Sequence, residues 1–390
     1  MQNYGIYSCI CHFFFVPLQP AKVCEIKMIN IVHMIRDIKI KNFKSITELD
    51  MQLGTLNVLI GANGSGKSNI LEAFGMVAAN SEDEIDLNRL SQAGIRVARP
   101  DLMVNSFLGQ LQRKKIEISI YNDVCWQSYV ITRPKDDYIM APWHCLVENH
   151  CEDSTPEEFA DFLMRLRKFE IYAPEIDALR GLSQQSNRIP IGIHGEGFDT
   201  ILNLLSPELR NEAAREARNC IEWMERVTFD RDDELKVMGY KLGRSTSHLF
   251  FSDRYMQRKN NFFSAENANE GALVVLFYLT LIMSDKTPKF FAIDNVDTRL
   301  NPKLCRYLIK LLYKYAKQFD KQLIVTTHNP AILDGINLND DDQRLFVVSR
   351  SDEGDTRVKR IRVKPEVSDK HLKLSEMWMN GMLGGLPENF

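Results

Sequence analysis

This chain of 390 residues has little net charge, no paired cysteines and no long apolar segment, so its composition alone indicates no function. Its formal net charge is only -3, which argues against a broadly basic nucleic-acid-binding protein. The 8 cysteines form no Cys-x-x-Cys pair, so we expect a cytoplasmic protein with reduced thiols rather than a disulfide scaffold. No segment is apolar for long enough to predict a membrane span, and no sustained heptad repeat predicts a coiled-coil arm.

The first 33 residues contain a short apolar run at positions 9–18 but lack the basic start of a signal peptide. We therefore expect residues 1–33 to be a non-core N-terminal extension, with Met34 as the better start.

Two His-Cys pairs leave two interpretations open. His144 with Cys145 and His150 with Cys151 allow either a zinc site or partly buried free thiols. Their spacing matches no standard zinc set, which favours free thiols.

A glycine-rich segment, GANGSGKS at positions 61–68, has the pattern G-x-x-x-x-G-K-S of a phosphate-binding loop. An apolar run at 56–60 precedes it and a helix-like run at 69–74 follows, so we predict a strand, a loop and a helix. Lys67 is expected to reach the β- and γ-phosphates of ATP, and Ser68 to ligate Mg²⁺. The predicted nucleotide-binding residues of this segment are Gly61, Asn63, Gly64, Ser65, Gly66, Lys67, Ser68 and Asn69.

Two later apolar runs end in polar residues. The segment FFAIDNVDTRLNP at 290–302 predicts a strand that ends at Asp294, whose carboxylate is expected to hold Mg²⁺. An amphipathic helix is predicted from 302 to 319. The segment LIVTTHNP at 323–330 predicts a second strand, followed by His328, which suits a hydrogen bond to a γ-phosphate or a place in the core.

In this order, the three segments resemble the motifs of ABC/SMC-like stand-alone ATPases, a group that includes RecF and the ATPase domain of OLD-family nucleases. Residues 34–46 are similar to the opening strand and "F+SI" turn of these proteins, and residues 374–390 to the tail of members found in anti-phage systems. The resemblance implies an α/β fold, namely a P-loop NTPase of ABC/SMC-like type with a mixed-sheet core and a compact helical and β lid insertion.

The resemblance also implies a division of the chain. We expect the N-terminal part of the ATPase core at 34–103, a lid and insertion region at 104–250, and the C-terminal part of the core at 251–390. Lys67 and Asp294 lie 227 positions apart, which is more than a transporter ATPase needs and far less than a chromosome-organising SMC arm needs.

Two positions depart from the family pattern. ABC-type sites are completed by a signature loop from a second subunit, and the candidate here is residues 264–273. Gly271 matches the signature glycine, but Asn269 replaces the signature Ser, and a simple capped helix start is the alternative. Asn295 stands where the catalytic Glu is expected, so either hydrolysis is slow or the nearby Asp297 substitutes as the base. The predicted catalytic residues are Asn295, Asp297 and His328.

The resulting hypothesis is a cytoplasmic ATPase that forms a homodimer or higher oligomer around ATP and Mg²⁺. It would serve as the sensor or motor subunit of an anti-phage defence or DNA-maintenance system, with a separate nuclease or toxin as effector and DNA as a further candidate ligand. The alternative is a nucleotide-dependent binding scaffold with little hydrolysis. The apolar tail at 375–390 is expected to be buried, either on the ATPase core or, through Trp378 and Phe390, against a partner.

Overall fold

The structure is a computed structural model. It describes residues 34–80, 84–108, 113–135, 138, 141–151, 154–183, 191–230, 234–241, 244–258, 261–362 and 372–386. The expected extension at 1–33 and the terminal Phe390 lie outside these residues.

Strands and helices alternate along much of the chain. The strands are β1 Asp37–Phe43, β2 Ile46–Gln52, β3 Leu56–Ile60, β4 Glu84–Ile85, β5 Lys115–Tyr121, β6 Cys125–Thr132, β7 Trp143–Cys151, β8 Ile171–Tyr172, β9 Met224–Phe229, β10 Leu249–Asp253, β11 Phe262–Ser264, β12 Phe290–Ile293, β13 Gln322–Thr327, β14 Gln343–Arg350 and β15 Thr356–Ile361. The helices are α1 Lys67–Ala78, α2 Leu87–Gln92, α3 Pro100–Met103, α4 Pro156–Arg167, α5 Ile176–Leu179, α6 Phe198–Leu204, α7 Pro207–Cys220, α8 Glu234–Val237, α9 Glu270–Met283, α10 Pro302–Gln318 and α11 Leu374–Met379, with 3₁₀ turns at Ala265–Asn267 and Pro330–Gly335.

A mixed six-stranded sheet forms the centre, in the order β15-β14-β3-β13-β12-β8. β3 pairs in parallel with both β13 and β14, and β12 pairs in parallel with β13 and β8. Only the pairing of β15 with β14 is antiparallel in this sheet of the described chain. The sheet is therefore the mixed core that the family resemblance implies.

An antiparallel sheet, in the order β2-β1-β5-β6-β7-β4, covers one side of the molecule. Its strands β5, β6 and β7 come from the 104–250 stretch that the sequence predicts as a lid and insertion. β1 pairs directly with β5, so this part of the stretch continues the sheet of the N-terminal core. The later helices α6 and α7 pack against α9 instead. The four sequence-based domain boundaries remain predictions.

Residues of the central strands alternate between two hydrophobic cores. Phe291 and Ile293 of β12 lie in the core that contains α9 and α10. Phe290 and Ala292 lie in the other core, with α1 and the antiparallel sheet. A strand covered on both faces has no polar side, which explains why these strands read as continuous apolar runs.

The predicted helix at 302–319 is confirmed as α10, and it begins where the sequence indicates. The Asn301 side chain accepts a hydrogen bond from the backbone N–H of Leu304 at 2.9 Å, and Pro302 lies in the first turn. Both features favour a helix start, because they satisfy or remove N–H groups that have no partner within the helix.

The apolar tail packs on the core of its own chain. Trp378 and Leu383 are each only 4 % exposed and belong to the core that contains α9 and α10. Both the backbone N–H and the hydroxyl of Ser375 donate to the Asp334 carboxylate, at 3.0 and 2.8 Å. Burial on the ATPase core is therefore the alternative that the described part of the tail adopts.

Among the described residues, no helix is long and apolar enough to cross a membrane. The same residues contain no cluster of three or more His, Cys, Asp or Glu side chains that could hold a metal ion. Cys145 is buried and Cys151 is half-buried, and neither forms a disulfide.

Because Trp378 is buried and its neighbour Met379 is exposed, we expect their truncation to have different effects on the free energy of unfolding. Trp378→Ala should lower the free energy of unfolding by about 3–5 kcal/mol, because it leaves a cavity in the core. Met379 is 66 % exposed, so Met379→Ala should change it by less than about 0.5 kcal/mol. Urea unfolding of both variants checks the contrast, and equal effects would contradict the docking of the tail.

Candidate functional site

Three neighbouring parallel strands, β3, β13 and β12, end at the same edge of the central sheet. The segments that follow them surround a pocket of about 320 Å³. Its lining residues are Gly64, Ser65, Gly66, Lys67, Ser68, Asn69, Arg96, Asp294, Asn295, His328 and Arg350. All of these except Arg96 and Arg350 are residues that the sequence predicts for the site.

The loop between β3 and α1 has a backbone that requires glycine. Gly66 has a φ of 107°, and a methyl group on it would collide with the Thr356 side chain. A methyl group on Gly61 would collide with the backbone carbonyl of Val348. The buried Ser65 hydroxyl has no hydrogen-bond partner among the described residues, and an unpaired buried polar atom in this loop fits a phosphate ligand.

Lys67 is only 5 % exposed and turns back over the loop. Its Nζ donates to the carbonyl oxygens of Gly61 and Ala62 at 2.8 and 2.9 Å. Burial lowers the pKa of Lys67 from its ordinary value of 10.5 to about 8, although the carboxylates of Asp294 and Asp297 act in the opposite direction. The ammonium group is thus held at the pocket by two neutral carbonyl oxygens.

Ser68 and Asp294 form the oxygen pair that the sequence predicts for Mg²⁺. The Ser68 hydroxyl donates to Asp294 Oδ2 at 3.1 Å, and the Thr326 hydroxyl donates to Asp294 Oδ1. A hydroxyl and a carboxylate at this distance are hard oxygen donors that fit Mg²⁺, which keeps further waters and phosphate oxygens as ligands.

His328 follows β13 and lies beside the lysine. Its Nδ1 is 3.5 Å from Lys67 Nζ. Burial lowers the pKa of His328 and the positive charge of Lys67 lowers it further, so the imidazole is neutral near pH 7. In the tautomer in which Nδ1 accepts from Lys67, the proton is on Nε2, and this N–H is a donor suited to a phosphate oxygen.

Asn295 lines the pocket in an unusual backbone conformation. Its φ is 55°, in the left-handed region, which Asn adopts more readily than most residues. The backbone N–H of Asn295 donates to the Thr326 hydroxyl at 2.8 Å. Asp297, the alternative base, does not line the pocket, and its Oδ1 accepts from the Thr327 hydroxyl at 2.7 Å.

Two arginines that sequence analysis misses add positive charge to the lining. Arg96 Nε donates to Glu72 Oε1 at 2.8 Å, while Arg350 Nε donates to the Gly64 carbonyl at 2.9 Å. Neither residue lies in a motif. Contacts over 286 positions, such as that of Arg350 with Gly64, leave no local pattern that could have revealed them.

The "F+SI" turn of the N-terminal segment is tied to the loop by hydrogen bonds between side chains. Asn69 Nδ2 donates to Ser45 Oγ at 2.6 Å, and the hydroxyls of Ser45 and Thr356 are 2.7 Å apart. The Thr356 hydroxyl also donates to the Ser65 carbonyl at 3.2 Å. The role of Asn69 in the described structure is therefore to fix the loop as well as to line the pocket.

The predicted signature residues lie away from this pocket in the same chain. Asn269 caps α9, and its side-chain oxygen accepts from the Ala272 N–H at 3.3 Å. Gly271 lies near the backbone carbonyl of Arg299, which follows the Asp294 strand. Asn63 is exposed at the tip of the phosphate loop and is also absent from the lining.

Comparison with known proteins identifies two family models in this chain. The model described as "AAA ATPase domain" matches residues 34–171, and the model described as "AAA domain, putative AbiEii toxin, Type IV TA system" matches residues 259–334. A curated relative is an OLD nuclease of Thermus scotoductus, 20 % identical over 333 residues, which are 77 % of this chain and 60 % of the relative. The chain thus spans little more than half the length of that relative.

Solved structures of SMC heads share the fold. The SMC head bound to the C-winged helix domain of ScpA aligns with a TM-score of 0.57 at 16 % identity, covering 86 % of this chain and 99 % of that chain. The Smc head with an extended coiled coil bound to the C-terminal domain of ScpA from Pyrococcus furiosus aligns with a TM-score of 0.54 at 13 % identity, covering 86 % and 98 %. Together the comparisons confirm the predicted resemblance to ABC/SMC-like ATPases and the predicted fold class.

The pKa of Lys67 predicts how ATP binding depends on pH. Below pH 8 the free protein carries a charged Lys67, whereas above pH 8 the lysine is neutral and must take up a proton to bind phosphate. ATP affinity should therefore fall about tenfold from pH 7 to pH 9. Isothermal titration in two buffers of different ionisation enthalpy at pH 9 should also detect proton uptake, and a flat affinity without uptake would contradict the lowered pKa.

Proposed function

We propose that this chain, an ABC/SMC-like ATPase by fold, binds ATP together with Mg²⁺ in the pocket at the ends of β3, β13 and β12. The observation that carries the proposal is the meeting of Lys67, Ser68, Asp294 and His328, which come from distant segments, at one edge of the sheet. With Arg96 and Arg350 in the lining, cations outnumber the single carboxylate of Asp294, as a triphosphate requires.

Each of these side chains has a defined part in the proposed reaction. Lys67 binds the β- and γ-phosphates, and His328 donates a hydrogen bond to the γ-phosphate. Ser68 and Asp294 would hold Mg²⁺, which would supply positive charge to the phosphate oxygens. Asn295 orients the attacking water but cannot remove its proton, because an amide is not a base at neutral pH.

We further propose that two copies of the chain close around ATP. The capped start of α9, with Asn269 and Gly271, lies outside the pocket of its own chain. It is therefore free to cover the γ-phosphate of a second copy, as the resemblance implies. Arg299 and Glu270 form an ion pair at 3.5 Å, so this helix start lies beside residues 298–302, a segment that resembles the D-loop of ABC-type ATPases.

The biological role that we propose is the sensor or motor subunit of an anti-phage defence or DNA-maintenance system, working with a separate nuclease or toxin. Two similarities support this proposal. Residues 259–334 match a family model whose description names a putative toxin, and the chain is similar to an OLD nuclease. The second candidate is a scaffold that binds ATP and barely hydrolyses it. Asn295 in the lining favours that candidate, because the remaining carboxylate of the lining, Asp294, is engaged by Ser68 and Thr326.

Removal of the lysine tests the site itself. Lys67→Ala should abolish ATP binding, because it deletes the charge that offsets the β- and γ-phosphates. Titration of a fluorescent ATP analogue in Mg²⁺ measures it, with Lys286→Ala, an exposed lysine paired to Asp285, as the control. Unchanged affinity in the Lys67 variant would remove the basis of the site assignment.

A second substitution separates the ATPase from the scaffold. Asn295→Asp restores a carboxylate and tolerates the left-handed backbone, so phosphate release should rise at least about tenfold if the missing base limits hydrolysis. Asn295→Glu supplies a longer carboxylate but bears about 1 kcal/mol of backbone strain, so its gain should be smaller.

Asn295→Gln is the matched control for this test, because it alters the side chain without supplying a base. If neither acidic variant exceeds it while Asp297→Asn lowers phosphate release, Asp297 is the base and the proposed role of Asn295 is wrong.

A further inference from the structure

A second, larger pocket lies between the end of α7, the end of β10 and the first turns of α10. Its volume is about 680 Å³, within the range of ligand pockets, and it shares no lining residue with the phosphate-loop pocket. Five cations line it: Arg218, Arg254, Lys303, Arg306 and Lys310. We call it the basic pocket.

The side chains that line the basic pocket carry an excess of positive charge, with five cations and two carboxylates. Within the described parts of the chain, none of the five cations lies within ion-pair distance of a carboxylate. Two carboxylates also line the pocket: Glu222 is exposed, and Asp334 already accepts two hydrogen bonds from Ser375. Glu216, just beyond the lining, accepts from Tyr307, Lys314 and Tyr315.

Two of the cations are held in place by the backbone. Arg218 donates to the Glu225 carbonyl at 3.2 Å, and Arg254 donates to the Met224 carbonyl at 3.1 Å. A carbonyl oxygen orients a guanidinium group without neutralising it. Their positive charge therefore remains available to a ligand.

The remaining three cations lie on one helix, and the first of them opposes the dipole of that helix. Lys303, Arg306 and Lys310 have the spacing of one helical face and extend over about 10 Å of α10. Lys303 lies in the first turn, which contains no acidic residue. Cations near a helix N-terminus are unfavourable, whereas an anion there is stabilised both by the free N–H groups and by the side chains.

We propose that the basic pocket is a second anion site, which binds a ligand with phosphate groups in series, either a free phosphorylated molecule or a nucleotide chain. Five cations around one cavity match several phosphates rather than a single carboxylate. Tyr307 is 38 % exposed and contributes an aromatic side chain to the lining. Asn301 joins the pocket to the D-loop, so an occupied pocket contacts the segment that leads back to Asn295.

The test uses the full chain carrying Lys67→Ala, so that binding at the first pocket does not contribute. Two probes are titrated by calorimetry, inorganic tripolyphosphate and the single-stranded oligonucleotide dT15. Arg306→Gln with Lys310→Gln should weaken binding of the preferred probe at least about tenfold. The control pair, Lys39→Gln with Lys359→Gln, removes the same charge from exposed strand positions and should weaken it less than about twofold.

The two probes distinguish the sources of the phosphates. Preference for tripolyphosphate identifies a free phosphorylated ligand. Preference for dT15 identifies a nucleotide chain, and the slope of log affinity against log salt should then fall by about 1.4 in the Arg306 and Lys310 variant.

Absence of binding by both probes, or equal weakening by both pairs of substitutions, would overturn the proposal. Because each comparison is made within the same Lys67→Ala chain, it reports on the basic pocket whether or not the first pocket binds ATP. The melting temperature of each variant is also measured. Neither pair of Gln substitutions should change it, because all four side chains are exposed.

Discussion

The parallel alignment of β3, β13 and β12 is the constraint on which the rest of the site depends. Each strand is buried on both faces, with alternate residues in two separate cores, so none can shift by one residue without exchanging its core contacts. Since parallel neighbours end at the same edge, the phosphate loop, Asp294 and His328 meet although 261 positions separate Lys67 from His328. The packing of the three strands thus determines which side chains meet in the pocket.

Two hydroxyls at the end of β13 hold the carboxylates of Asp294 and Asp297 in place. Thr326 donates to Asp294 and Thr327 donates to Asp297. Adjacent residues of a strand point to opposite faces, so the pair can hold two carboxylates that follow the neighbouring strand β12. Thr326 also accepts from the Asn295 N–H and so fixes the turn that follows Asp294.

Local patterns reveal the parts of the site that are continuous in sequence. The phosphate loop, the strands and the helix α10 could be predicted because glycine spacing, apolar runs and the Asn301-Pro302 start are local signals. Thr326, Arg96 and Arg350 could not, because their importance comes from contacts between distant segments. The pairing of β5 with β1 has no local signal for the same reason, because strand pairing across 75 or more positions leaves no periodicity in the sequence.

The segment from Asn295 to Asn301 connects the separate features of the molecule. Asn295 lines the phosphate pocket, Arg299 pairs with Glu270 at the start of α9, and Asn301 caps α10. Asn295 and Arg299 both have positive φ, at 55° and 64°, and for Arg299 this conformation costs about 1 kcal/mol. A strained turn persists only where surrounding contacts hold it, here those of Thr326 and Glu270. The phosphate pocket, the start of α9 and the basic pocket therefore all contact one segment of seven residues, and its backbone strain is held at both ends by these contacts.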